Sequence, residues 1–115
     1  MFDQFDLALF DSKEDFIWRT QKQLVNEFEK FGYTFPEGFQ DQIASTDVIL
    51  GYIEFLLSQL IQEGETRFFS FLYTLDLQQS RVEALLGRKD FIQKLAYLVL
   101  ERAAQKVYTK KKFSS

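Results

Sequence analysis

The chain has 115 residues, 46% of them hydrophobic and 27% charged, with a net charge of −3. That length suits one domain, and that apolar share excludes a disordered chain. There is no His and no Cys, which excludes disulfides, thiolate chemistry, Ser-His-Asp and Cys-His catalysis, and the common zinc sites.

Residues 1–12 mix Phe2, Phe5, Leu7, Leu9 and Phe10 with Asp3, Asp6 and Asp11. The pattern follows neither the helical nor the strand period. It reads as an arm docked on its own domain, or as a short acidic-aromatic motif for a partner. A first helix is expected after Ser12, with Ser12 as the cap and Asp15 three residues on. Ile17, Leu24, Phe28 and Phe31 share one face of it, and Gly32 suits its C-terminal stop. Gln21 falls inside that stripe and needs a hydrogen-bond partner if buried.

Residues 32–45 are not periodic. Tyr33, Phe35 and Phe39 are expected to anchor them, with Pro36 opening a short turn. A second long helix starts near Thr46-Asp47. Its apolar residues cover most of its circumference, which is the mark of a central helix or of one that serves both a core and a partner. Gly51 on its polar face would let another helix approach.

Gly64 interrupts the pattern. The stretch Glu65–Asp76, ETRFFSFLYTLD, holds three Phe and one Tyr in six consecutive positions. Period alone leaves strand and helix open. No other segment offers a partner strand, and a lone strand or hairpin is marginal, so helix is preferred. Phe68, Phe69, Leu72 and Tyr73 would then cover one broad side, opposite Arg67, Ser70 and Thr74, with Phe71 near the boundary. Asp76 is the expected cap of a short helix that Gly87 ends. The last helix is expected from about Lys89 to Thr109, followed by a frayed basic tail at 110–115.

The charge is lopsided. Residues 1–66 carry 13 acids and 4 bases, and residues 67–115 carry 4 acids and 10 bases. Such a field can hold the two halves together, pair two copies, or attract a charged partner. Arg102, Lys106 and Lys110 recur at i, i+4 and i+8, and Lys111 and Lys112 extend the array. These five are the candidate anion-binding residues, although cations also suit a helix C-terminus with no ligand. The carboxylate pairs Glu63/Glu65 and Glu14/Asp15 form no recognised metal or acid–base signature. No catalytic, metal or cofactor residue is assigned.

The segments LYTLDL (72–77) and LVLERAAQKVYTKKKF (98–113) resemble those of small uncharacterised helical proteins of bacteria. The resemblance implies an all-helical fold and a bacterial cytoplasmic setting, and it supplies no site residues.

The expected fold is therefore all-α: one domain over 1–115, a compact bundle of three long helices and at least two short ones. The N-terminus lacks the basic region of a signal peptide, and no apolar run reaches membrane-spanning length, so a cytoplasmic protein with no membrane contact is expected. The functional expectation is a non-enzymatic interaction module, as a homo-oligomer or with another protein. Tyr52, Phe55, Phe68, Phe71 and Tyr73 are its candidate interaction residues. The alternatives are a nucleic-acid accessory protein using the basic C-terminal helix, and a Mg²⁺-dependent carboxylate enzyme.

Overall fold

The computed structural model describes residues 1–114. These form five α-helices: α1 (Lys13–Glu29), α2 (Thr46–Glu63), α3 (Glu65–Leu75), α4 (Gln79–Glu83) and α5 (Phe91–Phe113). Two 3₁₀ turns, Phe2–Gln4 and Leu7–Leu9, precede them. There is no strand among the described residues. The fold is all-α, as the helical spacing of the apolar residues predicts.

The N-terminal arm docks on its own domain. Phe2, Phe5 and Phe10 surround Phe16, with ring centroids 5.3, 5.1 and 4.4 Å from it. Helix α1 starts where the capping chemistry places it. The Ser12 hydroxyl accepts from the Asp15 amide at 3.0 Å, and the Asp15 carboxylate accepts from the Asp11 amide. Its buried face is turned from the expected one. Phe16, Thr20, Gln21, Leu24 and Phe28 are enclosed, while Ile17 and Phe31 are only half-buried. Thr20 belongs to that face because its hydroxyl donates to the Phe16 carbonyl at 2.9 Å, which satisfies a polar group inside. Gly32, at φ 81°, ends the helix: its amide donates to Glu29, and the Tyr33 amide reaches back to Phe28.

The 33–45 segment carries no helix; the expected aromatics Tyr33, Phe35 and Phe39 pack it on the core, and Gln21 holds it by polar contacts. Gln21 is wholly buried. Its amide nitrogen donates to the Phe39 and Gln42 carbonyls at 2.8 and 2.9 Å, and its oxygen accepts from the Ala44 amide at 2.9 Å. One side chain thus satisfies three backbone groups of a segment with no ladder of its own. Aromatic contacts add to this, with Phe35 and Phe39 packed against Tyr52.

Helix α2 starts at Thr46, as expected, and Ser45 caps it, accepting from the Val48 amide at 3.2 Å. Helix α2 buries Ile49, Ile53, Leu56, Leu57 and Leu60, and leaves Val48 and Phe55 outside. The central helix is α5 rather than α2. It packs against both α1 and α2 and buries eight residues around most of its circumference. Three of these are alanines, Ala96, Ala103 and Ala104, which let its neighbours approach closely. Gly51 serves no such approach within the chain, since no other described element lies within 4 Å of where its Cβ would stand.

Gly64, at φ 124° and ψ 159°, occupies a backbone region open to glycine alone and separates α2 from α3. Asp76 does not cap α4. It is the left-handed residue that ends α3, at φ 64°, with the Leu77 amide returning to the Leu72 carbonyl. Aspartate is among the few non-glycine residues that tolerate this conformation. At the other end of the chain α5 continues through Phe113, so residues 110–113 of the expected frayed tail are helical. Lysine is a good helix former, and a positive charge favours a helix C-terminus. Ser115 lies outside the described residues.

Candidate interaction surfaces

Helix α3 sorts the aromatic stretch cleanly. Phe68, Phe71, Leu72 and Leu75 are buried, at i, i+3, i+4 and i+7. Phe71 is 1% exposed, stacked on Phe28 at 4.5 Å and edge-on to Phe31 at 5.4 Å. Phe68 is buried beside Phe91. Both are core, which corrects their assignment to an interaction surface. A helix placing Phe68 inward turns position 71 inward and position 73 outward. Tyr73 is accordingly 86% exposed and Phe69 48%.

The other candidates divide as well. Tyr52 is half-buried, closed over by Phe35 and Phe39. Phe55 is 61% exposed on the outer side of α2, one turn beyond Gly51.

Phe69 and Tyr73 form one wall of a groove between α3 and α4. Val82 and Leu86 form the other, and Leu72 and Leu77 line it between them. It holds about 430 Å³. Gln79 and Glu83 supply its polar edge and are hydrogen-bonded to each other at 2.8 Å. Phe69, Leu77, Val82 and Leu86 were not among the sequence candidates. The usable signal is the helical phase: once Phe68 and Phe71 are assigned to the core, Phe69 and Tyr73 fall outside it.

The basic array is largely committed inside the fold. The Arg102 guanidinium donates to the Leu75 carbonyl at 3.3 Å and to Asp76 at 3.2 Å, closing the C-terminal end of α3. Lys106 pairs at 3.2 Å with Glu27, whose side chain is 2% exposed. Glu27 also accepts from Gln23 at 2.8 Å and pairs with Lys30 at 3.5 Å, so a buried carboxylate has three partners. Lys110 donates to Gln23 at 3.5 Å, and Lys111 and Lys112 are exposed. The periodic face Arg102–Lys106–Lys110 is therefore an internal clamp at its first two positions. Of the two, Lys106 joins the basic part of the chain to the acidic one, while Arg102 closes on a residue of its own half.

The carboxylates are dispersed. Glu63 pairs with Arg67 at 2.6 Å, and Asp15 with Arg19 at 3.1 Å. No group of three acidic side chains converges to hold a metal among the described residues. Arg67 also donates to the Phe31 carbonyl and lies over the Phe31 and Tyr33 rings. The Tyr33 hydroxyl is buried and has no hydrogen-bond partner among the described residues. Burial first, and then the Glu63 carboxylate, hold its phenol above the ordinary tyrosine range, with Arg67 opposing them.

No helix is long and apolar enough to cross a membrane among the described residues. Comparison with family models, curated proteins and solved structures returned no match.

Proposed function

We propose that the chain is a non-enzymatic protein–protein interaction module that pairs with a second copy of itself through the α3–α4 groove. The observation that supports this most is the exposure of Tyr73, Phe69 and Leu86, at 86%, 48% and 53%, around one apolar recess. A contiguous exposed apolar patch rimmed by polar groups is the usual form of a contact surface. Aromatic side chains dominate the binding energy of such surfaces, because they bury a large area at low entropic cost. Phe69 and Tyr73 stand one helical turn apart, so a partner helix carrying the same pair can interleave with them. A two-fold arrangement, in which each copy offers the same patch, is the commonest closed solution.

The Mg²⁺-enzyme reading needs converging carboxylates and finds no support in their placement. The nucleic-acid reading based on the Arg102 face loses its first two residues to internal pairs.

The absence of cysteine allows a direct test. A single Gln79→Cys change puts one thiol at the groove edge. Mild oxidation is expected to give a covalent dimer, whereas Gln93→Cys on α5 is not. Equal cross-linking of both variants, or of neither, would remove the groove from the interface.

A further inference from the structure

We propose that the cleft between α1 and α5 binds single-stranded nucleic acid. This site shares Lys110 with the periodic Arg102–Lys106–Lys110 face but uses neither Arg102 nor Lys106, and it does not depend on the dimer. Helix α1 contributes Trp18, Arg19, Lys22 and Asn26 to it, and α5 contributes Lys110 and Lys111. The cleft holds about 400 Å³, and none of its lining residues is acidic. Arg19 is already paired with Asp15. Lys22, Lys110 and Lys111 form no ion pair among the described residues. A chain of net charge −3 thus gathers three uncompensated ammonium groups along one concavity.

The chemistry of the lining favours a phosphodiester strand. Ammonium groups act as point charges toward phosphate and need no bidentate geometry. Asn26 adds a neutral amide donor. Trp18 supplies an aromatic ring at the same place, its indole N–H fixed by donation to the Gln40 carbonyl at 2.6 Å. The Lys22 ammonium covers that ring 4.3 Å from its centroid. A phosphate that draws Lys22 away would uncover the ring for a base. Cations tracking a backbone beside an aromatic platform are the general device for holding single strands.

Trp18 is the only tryptophan, so its fluorescence reports on the cleft itself. The full chain is titrated with oligothymidylate, and separately with polyglutamate, at about 50 mM and about 200 mM salt. Oligothymidylate is expected to change the Trp18 emission, with affinity falling roughly twentyfold at the higher salt for three phosphate contacts. The double variant Lys22→Glu, Lys111→Glu should bind on the order of fiftyfold more weakly at the lower salt. Lys89→Glu, roughly 30 Å away beyond the other end of α5, should bind as the parent does. Should circular dichroism show lost helix in the double variant, Lys22→Gln with Lys111→Gln supplies the same comparison. No binding at the lower salt, an equal loss in Lys89→Glu, or polyglutamate binding as tightly as oligothymidylate would each overturn the proposal.

Discussion

Along its inner face α1 buries polar side chains, whereas the α3–α4 groove exposes apolar ones. Gln21 and Glu27 are both enclosed, and each has three partners. Tyr73 stands in the open, and Phe69 and Leu86 keep about half of their surface exposed beside it. The first region is closed, because a satisfied buried polar group fixes one geometry and penalises every other. The second is unfinished as a monomer, because its apolar area is still in contact with water. Polar closure of the chain on itself and apolar docking of a second copy are thus assigned to different helices.

Substitutions on the two sides should separate these roles. The largest contrast lies within α3. Phe71→Ala is expected to cost about 4 kcal/mol by opening a cavity beneath Phe28. Tyr73→Ser, two residues on, should cost no more than about 0.5 kcal/mol in dilute protein. Urea unfolding monitored by circular dichroism measures both. Equal losses would mean that Tyr73 is part of the monomer's core.

On the closed side, Gln21→Ala should cost about 3 kcal/mol, because it orphans the Phe39 and Gln42 carbonyls and the Ala44 amide at once. Hydrogen exchange sharpens this expectation. Amides in 39–44 should lose protection while those of α3 keep theirs, and uniform loss would show that the segment is not held by Gln21 in particular.

The smallest effect concerns Tyr33. Its folded-state pKa lies above the unfolded value near 10, so the folded chain holds that proton more tightly than the unfolded one. The associated stability is fully present below pH 10 and is lost as pH rises through the folded value. Tyr33→Phe should flatten that alkaline decline and, by removing a buried hydroxyl that has no partner, raise stability at neutral pH by about 1 kcal/mol. An unchanged alkaline slope in Tyr33→Phe would place its origin elsewhere.

Much of the architecture was legible in the residues. Ser12 and Gly32 mark the ends of α1 through capping chemistry that acts locally. The need of Gln21 for partners followed from its place in an apolar stripe, although nothing local could name Phe39, Gln42 and Ala44 as those partners. The phase of α3 was harder. Consecutive aromatics leave the apolar arc almost flat, and packing of Phe71 on Phe28, from a distant part of the chain, decides which side is inward. The basic array misled for a similar reason. Its spacing shows that Arg102 and Lys106 share a face, but only the tertiary fold brings Asp76 and Glu27 against them. The α1–α5 cleft joins residues 18–26 to residues 107–114, and no window along the sequence contains both.

Light scattering at micromolar concentration, on the parent chain and on Tyr73→Ser, tests the central claim most directly. The account predicts a mass near twice 13.6 kDa for the parent, retained at high salt because the contact is apolar, and a single-chain mass for the variant. A parent chain that is monomeric at both low and high salt would contradict it.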